Sequence, residues 1–207
     1  EILRCLEQRN FPVKALRLLA SPRSVGKALD FKGQKIAVQA LDEHSFDGVD
    51  VALFSAGSGT SKQYAPVAVR SGAVVVDNSS AFRMDPNVPL VVPEINAGAI
   101  NQHQGIIANP NCAAIIAITP LWPIHQVHRI ERLIVSTYQA ASGAGAAAMD
   151  ELVQATRAHL AGEAFQQKVL PHPYAFNLFS HNTAIDPVTG YNGEESKVIA
   201  ETRKIYG

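Results

Sequence analysis

Two cysteines occur in the 207 residues, Cys5 and Cys112, and only the second has a setting that could do chemistry. Cys112 ends the segment 106–112 (IIANPNC) and opens the apolar stretch 113–122 (AAIIAITPLW). The pattern reads as a strand, a Pro-Asn turn, and a helix that starts at the sulfur and is interrupted near Pro120. A helix N-terminus offers unpaired N–H groups and a partial positive charge, and both favour the thiolate, the nucleophilic form of cysteine. One reading is therefore covalent acyl transfer, and the other is a buried structural thiol. The NPNC turn favours the first. Cys5 lacks such a setting, falls on a plausible core face, and is read as inert.

A second group of residues could handle anions. Gln139 ends a strand expected over 130–138 and precedes the loop Ser142-Gly143-Ala144-Gly145. The loop Ser55-Ala56-Gly57-Ser58-Gly59 follows the apolar run 49–56. Glycine loops that open a helix can point successive N–H groups at a phosphate, although they also serve as plain tight turns. Arg23, in SPRS, stands where an arginine can take a ribose 2′-phosphate, which would select NADP; a solvated surface arginine is the alternative. Arg83 could clamp a phosphate or carboxylate bidentately. Glu194 and Lys197 share a helix face, which is equally the pattern of a surface ion pair. His125 and His128 beside Pro123 are a poor ligand pair, and no metal site is expected.

Composition sets the limits. Lys+Arg and Asp+Glu number 18 each, so nothing in the charge balance suggests nucleic acid or an anionic membrane. With 47% hydrophobic residues the chain can bury a sizeable core. Two thiols are too few for a disulfide framework or a structural zinc site, and a reducing compartment is the simpler setting. No apolar run approaches a membrane span.

The elements that must position these residues alternate. Residues 1–10 read as a helix stopped by Asn10 and Pro12, and strands are expected over 13–20, 35–39, 49–56 and 73–77. A helix is expected over 62–71 despite Pro66, another from about 144 to 160, and a last one over 194–206 with Glu194 in its first turn. Apolar strands separated by helices predict a parallel sheet covered on both faces, with ligands at the carboxyl ends of its strands. Residues 163–193 read as irregular connections. The expected fold class is α/β: a Rossmann-like doubly wound parallel sheet lacking its first strand (1–111), then part of an α+β catalytic and dimerisation domain (112–207).

Taken together, segments 20–27 (ASPRSVGK), 53–61 (LFSAGSGTS), 74–85 (VVVDNSSAFRMD), 89–96 (PLVVPEIN), 106–112, 135–145 (VSTYQAASGAG) and 190–205 (GYNGEESKVIAETRKI) resemble the aspartate-semialdehyde dehydrogenase family, in family order. The resemblance implies NADPH-dependent reduction of L-aspartyl 4-phosphate through a Cys112 thioester, in lysine, threonine and methionine biosynthesis. It implies that Gln139 orients the substrate, that Arg83 and Lys197 hold phosphate beside Asn111, and that Glu194 engages the substrate amino group. Arg23 and Ser24 correspond to contacts with the NADP 2′-phosphate, Ser55 and Gly57 to the cofactor loop, and Ser142 and Gly143 to contacts beside the nicotinamide. A homodimer or homotetramer is implied, cytoplasmic in bacteria, or organellar if a transit peptide has been lost. The family's first Gly-rich loop would precede Glu1, and its catalytic histidine and a substrate arginine would follow Gly207. The isolated chain is accordingly expected to be inactive or nearly so, with weakened NADP binding.

Three other readings compete. An N-acetyl-glutamyl-phosphate reductase uses a similar plan, but Gln139 after STY and the EESK segment argue against it. A cysteine amidase or peptidase would have no need of the glycine loops. A non-catalytic assembly fragment would keep only an oligomerising surface.

Overall fold

The computed structural model describes residues 1–207. Its first element, α1 (Ile2–Gln8), stops where Asn10 turns to a φ of 49° ahead of Pro12. This short helix packs along β2 (Ala28–Phe31) and buries none of its residues. Cys5 is therefore exposed, not on a core face.

β1 (Leu18–Ala20) runs parallel to β3 (Gln34–Ala40), and β2 pairs with β3 in the antiparallel sense, Phe31 opposite Gln34. The hairpin turn is Lys32-Gly33, with φ of 47° and 75°, the two-residue turn whose twist suits a β-hairpin. This hairpin was not expected from the sequence. Only Phe31 of β2 is buried, so hydrophobic patterning gives it little signal. The strand expected over 13–20 shrinks to three residues because β3 offers partners only to Leu18, Leu19 and Ala20.

β4 (Val51–Phe54), α2 (Ser58–Arg70), β5 (Val74–Asp77), α3 (Pro93–Asn96) and β6 (Ile106–Ala108) follow. β4, β5 and β6 form an all-parallel sheet in that order. The core lies between this sheet and α2, where Ala65 and Ala68 are sealed against Phe54, Val75 and the stacked ring of Phe46. Full coverage of both faces does not hold for β4: Ala52 and Phe54 are buried while Val51 and Leu53 are exposed. At the carboxyl end of β5, buried Asp77 accepts bonds from Ser61 Oγ (2.8 Å), Ser79 N–H (2.9 Å) and Ser79 Oγ (2.7 Å). It thereby pins the first turn of α2 beside the strand ends.

Residues Glu1–Pro110 form one compact unit and Asn111–Gly207 a second. The second is built on α4 (Cys112–Val127), α5 (Ala146–Ala161) and α6 (Gly193–Tyr206). α4 is continuous through Pro120 and Pro123, contrary to the expected interruption. Each proline removes a helical N–H at a cost of about 3 kcal/mol. Packing against α6 offsets that loss: Tyr206 OH donates to the Ile118 carbonyl at 2.6 Å, and its ring meets those of Trp122 and His125. The strand expected over 130–138 is absent; residues 131–140 are exposed, and no strand lies within 111–207 to pair with them. Apolar alternation marks a segment that could join a ladder, but the ladder itself needs a partner. Residues 163–192 are irregular as expected, tied down where Glu151 of α5 accepts the N–H groups of Lys168, Val169 and Leu170 at 2.5–2.8 Å. Burial pushes the Glu151 carboxyl up, but those three donors, with the Lys168 charge, hold it below the ordinary glutamate value.

Candidate active site

Cys112 is exposed at the first position of α4. The preceding residue, Asn111, is the N-cap, and its side-chain oxygen accepts from Ala113 N–H (2.8 Å) and Ala114 N–H (3.3 Å). Only 6% of Asn111 is exposed, so the cap is shielded while the sulfur beside it is open. An accessible thiol on the positive end of a sixteen-residue helix suits a nucleophile better than a structural cysteine.

α6 supplies the neighbouring charges. Asn111 Nδ2 donates to Glu194 Oε1 at 2.7 Å, and Lys197 Nζ lies 3.4 Å from Glu194 Oε2. His181 Nε2 stands 3.9 Å from the same oxygen. Burial pushes the Glu194 carboxyl up, but the Asn111 donor, Lys197 and His181 outweigh it and hold it below the ordinary value. Glu194 is thus a carboxylate at neutral pH, with 13% of its side chain exposed, and the pair is more enclosed than the surface ion pair the sequence also allowed. α6 begins with a full capping box: Asn192 accepts from Glu194 and Glu195 N–H, and Glu195 Oε2 accepts from Asn192 N–H at 2.7 Å. The letters NGEE carry that signal.

Glu201 was not singled out from the sequence. It is 1% exposed, and its Oε2 accepts the Asn111 N–H at 2.5 Å. The available clue is spacing, since Glu194 and Glu201 are seven residues apart and fall on one stripe of α6.

Gln139 is exposed in a segment without regular secondary structure rather than at the end of a strand. Its carbonyl accepts from Tyr174 OH (2.5 Å), its side chain meets Thr137 (3.1 Å), and it shares no hydrogen bond with the Asn111 cluster. Ser142 and Gly143 lie in a 3-10 turn, Ala141–Ala144, that packs against α5.

The other candidates belong to the first unit. Arg83 is 8% exposed; its Nε donates to the Asn109 carbonyl and its terminal nitrogen to the Asn78 carbonyl, each at 2.9 Å. It ties together the loops that leave β5 and β6. Ser55 and Gly57 are exposed in the loop between β4 and α2. Gly57 caps α2 with a φ of 85° and no side-chain acceptor, so the first-turn N–H groups are left to solvent or a ligand. A Cβ placed at Gly59 would meet nothing within 4 Å. Uncapped donors facing open space fit the phosphates of a nucleotide. Arg23 is exposed and Ser24 half-buried in the 3-10 turn after β1.

Residues 1–103 match the NAD-binding domain family of semialdehyde dehydrogenases, and residues 121–207 match its dimerisation domain family. Among similar proteins, the aspartate-semialdehyde dehydrogenase of Synechocystis sp. is 54% identical over 100% of this chain, and that of Aquifex aeolicus 51% identical over 98%. The chain spans 61% of the length of each. The crystal structure of aspartate semialdehyde dehydrogenase II from Vibrio cholerae, 43% identical, superposes with a TM-score of 0.92 over 99% of this chain and 62% of that one. The same enzyme complexed with ASA gives 0.93 at 42% identity. These matches agree with the Rossmann-like parallel strands of the first unit, and with them the chain belongs to the semialdehyde dehydrogenase family.

Proposed function

We propose that the protein containing this chain reduces L-aspartyl 4-phosphate to L-aspartate 4-semialdehyde, with NADPH as the reductant and Cys112 as the nucleophile. One observation carries the reading: an open sulfur at the capped N-terminus of α4, beside the Glu194–Lys197 pair. The Cys112 thiolate attacks the acyl carbon, a carbon–sulfur bond forms, and the carbon–oxygen bond to phosphate breaks. Arg83 and Lys197 hold the departing phosphate. The Cys112 N–H, the first-turn donor that the Asn111 cap does not take, is assigned to the oxyanion that develops at the acyl carbon. Glu194, charged at neutral pH, engages the substrate ammonium, and Asn111 and Gln139 orient the acyl group. NADPH, when bound, supplies the hydride that reduces the thioester carbon. Cys112 then recovers its electron pair as the carbon–sulfur bond breaks.

Ser55, Gly57, Ser142 and Gly143 are assigned to the cofactor, with Arg23 and Ser24 at its 2′-phosphate. The match to a dimerisation domain supports a homodimer or homotetramer. Work in lysine, threonine and methionine biosynthesis, in the cytoplasm, follows from the same reading. The relatives' names favour this substrate over N-acetyl-glutamyl phosphate.

The test uses the full-length protein in the reverse direction. Aspartate semialdehyde, NADP and phosphate together should yield NADPH, and omission of phosphate should abolish the yield. Cys112→Ser should reduce turnover to background, and mass spectrometry should find the acyl group on Cys112 alone. Turnover that persists in Cys112→Ser, or that requires the N-acetylated glutamate semialdehyde, would overturn the assignment.

A further inference from the structure

The N-cap N–H of a helix has no intrahelical acceptor, and in a capping box a Glu at the third helical position supplies one. α6 does so with Glu195. In α4 the corresponding position is Ala114, which carries no acceptor and is fully buried. The missing acceptor comes from 90 residues away, where Glu201 Oε2 takes the Asn111 N–H at 2.5 Å. Glu194 holds the side chain of the same asparagine, so α6 grips Asn111 at both its main chain and its side chain. We propose that Glu201 is a positioning residue for Cys112: it completes, from α6, the capping box that α4 cannot complete for itself, and so fixes the first turn on which the sulfur stands. This rests on the reading of Cys112 as the nucleophile.

The placement has a chemical logic. Position 114 is fully buried, so a local glutamate there would have to fit into the packed interior, whereas Glu201 brings the acceptor from α6 and leaves Cys112 exposed.

In a Cys5→Ser background Cys112 is the sole thiol of residues 1–207, and peptide mass spectrometry assigns the label to it. Iodoacetamide alkylation at neutral pH reports how the sulfur is presented, and amide hydrogen exchange at Asn111, Ala113 and Ala114 reports the cap. Glu201→Gln keeps an acceptor and should hold both readouts within about threefold of the parent. Glu201→Leu keeps the volume without the acceptor, and should speed exchange and alter alkylation by roughly tenfold or more. Equal behaviour of the Gln and Leu variants would overturn the proposal. Should Leu prevent folding, the parent decides: Asn111 N–H should exchange as slowly as the buried amide of Ile118, and exchange at the rate of the exposed 131–140 segment would overturn it. In the full-length enzyme, Gln should retain kcat while Leu lowers kcat more than it raises KM. A failure of Cys112 to form a thioester would leave the exchange rates intact and sink only the reaction, so the two ideas fail separately.

Discussion

Asn111 Nδ2 donates to Glu194 Oε1 at 2.7 Å, which joins the residue before the cysteine to the first turn of a helix 83 positions later. The same asparagine caps α4 with its side-chain oxygen. One amide therefore uses its donor to hold α6 and its acceptor to start α4.

Asn111→Ala removes both bonds. Loss of an N-cap costs about 1 kcal/mol. The Glu194 oxygen, left without its amide donor, adds a further penalty of about 1 kcal/mol. Urea denaturation should show a midpoint shift of that combined size, and Cys112 should alkylate more slowly. An unchanged midpoint would show that the cap contributes nothing.

Glu194 makes the second unit acid-sensitive in a defined direction. Its carboxyl lies below the ordinary glutamate value of 4.5 in the folded state, because the bonds it accepts and its charged neighbours outweigh burial. Its stabilising effect is then present above pH 4.5 and declines as pH falls through the lower, folded value. Urea midpoints taken from neutral pH down to about 3 should fall more steeply for the parent than for Glu194→Gln. Parallel curves would contradict the assignment.

Glu151→Ala removes the acceptor for three consecutive main-chain donors. Amide exchange at Lys168, Val169 and Leu170 should accelerate by roughly tenfold or more, while amides in α4 stay unchanged. Glu151→Gln, with one carbonyl oxygen in place of two, should fall between.

Gly105 has a φ of 100°, and a Cβ there would lie 2.5 Å from Val69 Cγ1. Its carbonyl also accepts from Val75 N–H at 2.8 Å, so it cannot shift without disturbing β5. Gly105→Ala should cost about 2 kcal/mol or more, since strain and a steric clash add. Gly98→Ala, with nothing within 4 Å of the added carbon, is the control and should stay within about 1 kcal/mol.

Arg23→Ala tests the proposed contact with the cofactor 2′-phosphate in the full-length protein. KM for NADPH should rise about tenfold or more while KM for NADH changes little, as expected when a 2′-phosphate loses a cationic partner. An equal change for both cofactors would remove Arg23 from that role.

What could be read from the sequence was what local chemistry decides. The NPNC turn announced a helix starting at Cys112, and Glu194 was placed in the first turn of the last helix; both stand in the structure. What could not be read depends on partners far along the chain. The segment 130–138 has the pattern of a strand but finds no ladder partner within the second unit. The β2–β3 hairpin rests on the turn at Lys32 and Gly33, and its first strand buries only Phe31. Glu201 carries no motif, because its role is set by how α6 packs on α4.

The contact between Glu201 and Asn111 also bears on timing. A chain emerging from the ribosome exposes Cys112 about ninety residues before the acceptor that finishes its helix start has been made. Until α6 arrives, the Asn111 N–H beside the sulfur lacks this acceptor and the first turn of α4 is held less firmly. The start of α4 is thus completed only once α6 has been made, so the order of synthesis sets when this turn becomes fixed.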